Sequence, residues 1–124
     1  ENGNADGIVA INTIRAMKID LDLKKPVLSN KIGGYSGKAI KPIGVQCVYE
    51  IAKNVDIPVI GVGGITTGKD ALEYIMAGAS AVQIGSGIYY RGIDVFEKIC
   101  REIKNWMEDH KYKNLSELIG VAHI

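Results

Sequence analysis

Ile57-Pro58-Val59-Ile60-Gly61-Val62-Gly63-Gly64-Ile65 decides the fold: it is an unbroken apolar run of strand length that closes on paired glycines. A strand with one wet face alternates apolar and polar residues, whereas an unbroken run suits a parallel strand covered on both faces. Two runs of the same kind flank it, Gly7-Ile8-Val9-Ala10-Ile11-Asn12 before and Ala81-Val82-Gln83-Ile84-Gly85 after. Helical patterns fill the intervals. Ile40, Ile43, Cys47, Val48, Ile51 and Val55 recur at helical spacing. Thr67 is placed to cap a second helix with Asp70 three residues on, Ala71, Leu72, Ile75 and Met76 form its inner face, and Gly78 ends it. Val95, Phe96, Ile99, Cys100, Ile103 and Met107 mark a long helix after the third strand. Asn114 with Glu117 reads as the cap of a short final helix closed by Gly120.

The order β-α-β-α-β-α implies a parallel sheet with right-handed crossovers. Thr13 to Lys38 breaks the rhythm, joining the first strand to its helix with far more residues than the usual few, which marks the excursion as functional. Within it Ile19, Leu21 and Leu23 alternate with Asp20, Asp22 and Lys24, and Pro26 turns the chain into Val27-Leu28. This predicts a small hairpin over the carboxyl ends of the sheet. Three buried strands leave hydrophobic edges that must pair with something. A complete (βα)8 barrel needs roughly 200 residues or more, and this chain has 124. The expected architecture is therefore α/β: the C-terminal three βα units of a TIM-type barrel, with residues 1–124 a single partial domain. The missing part is expected from an N-terminal portion of the same barrel or from other chains.

Composition narrows the function. Hydrophobic residues make up 47% and charged residues 23%, an ordinary globular balance, and the net charge is +1. Lysines scattered among acids do not form the basic stripe of a nucleic-acid or anionic-membrane binder. No apolar run approaches the roughly 20 residues that span a bilayer, and Glu1-Asn2-Gly3-Asn4-Ala5-Asp6 lacks the basic start and apolar stretch of a signal peptide. Cys47 and Cys100 each sit in an apolar helical pattern and are expected in the core, with a reducing cytoplasm the fitting compartment. No CxxC or Cys/His cluster suggests a metal. His110 and His123 are expected at the surface and carry no assigned role.

The chemistry sits in loops. Gly61-Val62-Gly63-Gly64 follows the second strand and Gly85-Ser86-Gly87 the third. Glycines at strand ends let backbone N–H groups come close to a ligand. A ring of amides with a helix N-terminus suits a phosphate dianion. Two such loops on successive strands, followed by the short stretch Ile88 to Arg91, match the phosphate site after the last two strands of many barrels. Tight turns alone are the competing explanation. Gly63 to Lys69 also fits the start of a P-loop, but Asp70 stands where serine or threonine should hold magnesium, so a nucleotide triphosphatase is discounted. Asn12-Thr13, ending the first strand, presents an amide and a hydroxyl that can bind a ligand's carboxylate and ring amide, or else simply close the strand with a cap-like turn.

Four segments in order carry a resemblance over nearly the whole chain: Ile11-Asn12-Thr13, Gly33-Gly34-Tyr35-Ser36-Gly37-Lys38-Ala39-Ile40-Lys41-Pro42, Ile57 to Ile65, and Ala77-Gly78-Ala79-Ser80-Ala81-Val82-Gln83-Ile84-Gly85-Ser86. Together they resemble the dihydroorotate dehydrogenases, and the GGxSGxAIKP form is most similar to the NAD-linked, two-subunit branch. The resemblance implies a βα barrel holding FMN that oxidises dihydroorotate to orotate in pyrimidine biosynthesis. It implies that Ile11, Gly37, Gly63, Gly64, Gly85 and Ser86 bind FMN, the last four around its phosphate, and that Asn12 and Thr13 hold substrate. Ser86 stands where threonine is common, which keeps the hydroxyl. The implied mechanism has a base remove the C5 proton while hydride passes from C6 to flavin N5, with electrons leaving through a partner subunit that carries FAD and an iron–sulfur cluster. The base, a cysteine in this branch, is implied on an earlier loop, as is a flavin-contacting lysine. Neither Cys47 nor Cys100 lies in a matching motif, so this segment holds no catalytic residue and is expected to be inactive alone. A uracil-reducing dihydropyrimidine dehydrogenase shares a similar glycine-rich loop and is the enzyme alternative. A non-catalytic phosphate-binding half-barrel module is the alternative of another class.

Overall fold

A computed structural model describes residues 3–124. Glu1 and Asn2, where the stretch read as no signal peptide begins, lie outside the described residues. The three apolar runs form one parallel sheet. Strand β1 (Ile8–Ala10) pairs with β6 (Val59–Val62), and β6 with β7 (Ala81–Gln83). Ile8 lies opposite Val59, and Ile60 opposite Ala81. Helices α1 (Lys41–Ala52), α2 (Gly68–Met76) and α4 (Val95–Asp109) alternate with the strands, and the short α3 (Gly87–Arg91) precedes α4. The expected α/β architecture of three βα units is present.

The core lies between the helices and one face of the sheet. Val59 and Gly61 of β6 are buried there, while the alternate residues Ile60 and Val62 stay half-buried on the other face. Val48, Ala71, Leu72, Tyr74, Ile75, Val95, Ile99 and Leu118 complete this core. Coverage of both faces, expected from the unbroken runs, does not hold within this chain. Val9 of β1 is 54% exposed, and Ala81 and Gln83 of β7 are exposed. Each outer strand pairs on one side only among the described residues.

Several local signals form as expected. Asp70 N–H donates to Thr67 Oγ1 and Thr67 N–H donates back to Asp70 Oδ2, the reciprocal cap of α2. Gly78 takes φ +112° beyond the last turn of α2, a conformation that favours glycine. Glu117 Oε1 accepts the Asn114 N–H at the start of a 3₁₀ turn, Leu115–Leu118, so the short final element is tighter than an α-helix.

Other expectations need correction. The predicted hairpin is real but brief: β3 (Ile19–Asp20) pairs antiparallel with β4 (Lys25–Pro26). Leu21 and Leu23 fall in its turn instead of a strand, and Leu21 is 82% exposed. Asp20 Oδ1 accepts the N–H groups of Asp22 and Leu23, so an aspartate turn ends the strand early. A second ribbon, β2 (Ile14–Ala16) against β5 (Gly33–Tyr35), anchors the excursion's two ends. Cys47 is half-buried and Cys100 exposed, and Phe96 and Ile43 are exposed as well. Helical periodicity picks a stripe wider than the face that these helices bury. His123 is no idle surface residue: its Nε2 is 2.8 Å from the Ala77 carbonyl and its ring lies 4.4 Å from that of Tyr49. With Gly120 N–H on the Ile75 carbonyl and Ala122 N–H on that of Met76, the C-terminal tail satisfies the last turn of α2. His110 is exposed and stacks on Trp106.

Candidate functional site

Strands β1, β6 and β7 end side by side, which brings their three following loops together. The cleft between them has a volume of about 120 Å³. Of the residues singled out from the sequence, Ile11, Thr13, Gly63, Gly64, Gly85 and Ser86 line it. Ser36 and Ile40 close it from the excursion and Gln83 from β7. A complete ligand pocket runs to roughly 300–1,000 Å³, so this is room for one small group and not for a whole cofactor. A larger apolar groove on the excursion, lined by Met17, Leu28 and Tyr35, shares no residue with the cleft.

The glycines serve different ends. Gly63 (φ +133°) and Gly64 (φ +70°) hold backbone that other residues rarely adopt. A Cβ on Gly64 would lie 2.8 Å from the Gly37 carbonyl oxygen and 2.9 Å from Lys41 Cβ, so Gly37 is close by without lining the cleft. A Cβ on Gly85 would meet nothing within 4 Å, leaving that side open to a ligand. Gly61 corrects the sequence reading. It is a strand residue whose missing side chain makes room for the Tyr74 ring, as does Gly44 in α1. Tyr74 is fully buried and its hydroxyl donates to the Gly63 carbonyl at 2.8 Å. Burial pushes its pKa up to about 12. Gly33 and Gly34 are likewise packing positions, against Leu28 and Thr13.

The helix start after β6 is not available to an anion. Asp70 Oδ2 accepts the N–H groups of Thr66 and Thr67, and Glu102 Oε2 accepts that of Gly68 at 2.6 Å. Lys41 Nζ bonds Asp70 Oδ1 at 2.8 Å and Glu73 Oε1 at 2.6 Å. Burial works against the charged form of Asp70, but the Lys41 ammonium and the Thr66 and Thr67 donors outweigh it and hold the carboxyl well below its usual range. This pairing also explains why Asp70 does not serve a P-loop. The backbone N–H groups of Gly64, Gly85, Ser86 and Gly87, by contrast, donate to no acceptor among the described residues. The unpaired amides beside the cleft thus belong to the loops and not to the start of α2.

Asn12 stands beside the cleft between two lining residues. Its Oδ1 accepts the Thr13 N–H at 2.8 Å, which assigns the amide and leaves the Nδ2 donors free among the described residues. The peptide bond from Ala10 to Ile11 is cis. Neither Cys47 nor Cys100 lines the cleft. Tyr74, Lys41, Arg91 and Glu102 frame the loops, and none was given a role from the sequence, Arg91 entering only as the end of the stretch Ile88 to Arg91. Apart from Lys41, which sits inside a glycine-rich motif, no local pattern marks them, because their partners lie 11 to 34 residues away.

Comparison with known proteins gives this geometry a family. The sequence model described as Dihydroorotate dehydrogenase matches residues 1–107. The chain is 57% identical over 122 residues to the catalytic subunit of dihydroorotate dehydrogenase B (NAD(+)) from Methanocaldococcus jannaschii, covering 98% of this chain and 40% of that protein. Its counterpart from Thermoplasma acidophilum is 53% identical over 118 residues, 95% of this chain and 39% of the relative. The crystal structure of DHODH from Eimeria tenella in complex with ferulenol superposes with a TM-score of 0.80 at 31% identity, over 98% of this chain and 32% of that one. The chain thus spans about 40% of the length of the curated relatives it matches. With the family match over most of its residues and the same three βα units in a solved relative, the chain belongs to the dihydroorotate dehydrogenase family.

Proposed function

We propose that this chain is the C-terminal portion of the catalytic subunit of an NAD-linked dihydroorotate dehydrogenase, and that its cleft holds the phosphate of FMN. The observation that carries the reading is the pair of glycine loops that line a cleft of about 120 Å³, where the N–H groups of Gly64, Gly85 and Ser86 donate to no acceptor among the described residues. A phosphate ester brings acceptors and no bulk, which is what such a cradle accommodates. Ile11, Gly37, Gly63, Gly64, Gly85 and Ser86 are assigned to the cofactor, with Ser86 Oγ an added donor. When bound, FMN supplies the acceptor for the hydride that leaves dihydroorotate. The chain's own residues bind and orient. Asn12 Nδ2 and Thr13 Oγ1 stand where β1 ends, and they offer hydrogen-bond donors to the carboxylate and ring of dihydroorotate or orotate.

The relatives are named as a catalytic subunit, which supports a second subunit as partner. We assign it FAD, an iron–sulfur cluster and the passage of electrons to NAD. The base that takes the C5 proton is assigned to the upstream part of the barrel. The enzyme so described works in the cytoplasm, and no described helix is long and apolar enough to cross a membrane.

The test uses the full-length protein. It is expected to co-purify with FMN, and Asn12→Ala is expected to keep the flavin while weakening orotate binding about tenfold or more, the loss expected for a hydrogen bond to a charged group. Well-folded protein without flavin would remove the reading. Unchanged orotate affinity, measured by flavin absorbance titration, removes Asn12 from the substrate site.

A further inference from the structure

Arg91 ends α3, and its guanidinium reaches the other glycine loop. Nη1 donates to the Thr66 carbonyl at 2.8 Å and Nη2 to Glu102 Oε1 at 2.6 Å. The second carboxylate oxygen, Glu102 Oε2, accepts the Gly68 N–H at 2.6 Å. One ion pair therefore ties together three segments: the stretch after Gly85–Gly87, the turn after Gly63–Gly64, and the middle of α4. The tie is anchored at each end. Thr66 is 1% exposed, and Lys98 Nζ donates to the Arg91 carbonyl at 3.1 Å. Between these anchors the two loops touch, since a Cβ on Gly87 would lie 2.6 Å from the Ile65 carbonyl oxygen. Neither Arg91 nor Glu102 lines the cleft.

A guanidinium is suited to this task because its planar fork serves two acceptors at once, which an ammonium on a flexible stem does not do. Amides grip a phosphate only when several converge on it, so the spacing between the loops sets how many bonds form together. We propose that Arg91 and Glu102 are positioning residues for phosphate recognition. Their ion pair fixes the separation of the two glycine loops, and so presets the amide cradle for the phosphate of FMN. This rests on the flavin reading above. It makes a claim that charge alone does not: although the two side chains have opposite charge, loss of either loosens the same spacing.

The experiment measures FMN and riboflavin affinity by fluorescence titration of the full-length protein stripped of flavin. Riboflavin lacks only the phosphate, so the ratio of the two affinities isolates the cradle. The unaltered protein is expected to prefer FMN. Arg91→Gln and Glu102→Gln are each expected to lower that preference about tenfold, the effect of a lost charge-assisted bond, with riboflavin affinity unchanged. Arg101→Gln, which removes the same charge from the exposed face of α4, is expected to leave the ratio alone. Three results overturn the proposal: an unchanged ratio, equal weakening of both flavins, or tighter FMN binding by Glu102→Gln, which marks simple attraction to Arg91. If the glutamine variants do not fold by circular dichroism, Arg91→Lys is read on the same ratio, with the same tenfold loss expected and an unchanged ratio overturning it. An unaltered protein with no preference for FMN is a separate failure, of the flavin-phosphate reading itself.

Discussion

Tyr74 shows how much one buried residue sets around the cleft. Its ring explains the glycines at 44 and 61, and its hydroxyl holds the Gly63 carbonyl just before the Gly63–Gly64 bend. Replacing it with phenylalanine keeps the ring and removes the donor to the Gly63 carbonyl. Tyr74→Phe is expected to cost about 1 kcal/mol by chemical denaturation, the net worth of one hydrogen bond. An unchanged midpoint removes the hydrogen bond from the account. The residue also shows where sequence reading stopped. Gly61, Gly63 and Gly64 are neighbours on paper, and all three were read as approaches to a ligand. Only the distant Tyr74 separates the packing glycine from the others, and no local pattern announces it. Thr13 and the four loop residues at 63, 64, 85 and 86 were legible because strand ends fix where loops begin, whereas Ile11 came from the family resemblance alone.

At the scale of elements, helix α2 is the best-determined piece of the sequence and the one most altered in meaning. Its cap residues, its terminal glycine and most of its inner face, Tyr74 excepted, were readable from local spacing. Its supposed role as an anion site was not, because Glu102 reaches its first amide from α4 and Lys41 reaches its cap from α1. The cap has a pH signature. Asp70 titrates below its usual value in the folded protein, so folding favours the ionised form. That stabilisation is complete above about pH 4, the unfolded range, and fades as pH falls through the lower folded value. Thermal melts between about pH 5 and pH 2 are expected to show a steep fall that Asp70→Asn flattens. An equally steep fall in the variant assigns the acid sensitivity to other carboxylates.

For the molecule as a whole, the parallel sheet has two open sides. Val9 is largely exposed on β1, and beside β7 a groove of about 250 Å³ is lined by Val82, Ile84, Phe96 and Cys100 among others. The unbroken apolar runs therefore describe burial that these 124 residues do not supply, which is why Cys100 was misplaced in the core and Phe96 is exposed. Expressed alone, the chain is expected to self-associate in light-scattering chromatography. Co-expressed with the upstream three-fifths of a relative, it is expected to form a defined complex of lower mass. A folded monomer that ignores the upstream part contradicts the reading of a partial barrel.

The cleft has one more property. Among the described residues its lining carries no charged side chain. Dissolved salt screens point charges over about 8–10 Å at cellular concentrations, but short bonds from peptide dipoles have no counter-ions to release. A phosphate held there, as proposed, depends less on ionic strength than one held by lysine or arginine side chains. Under the proposed reading, the number and direction of a guest's acceptor atoms then count for more than its net charge. Selectivity of that sort rests on shape more than on charge.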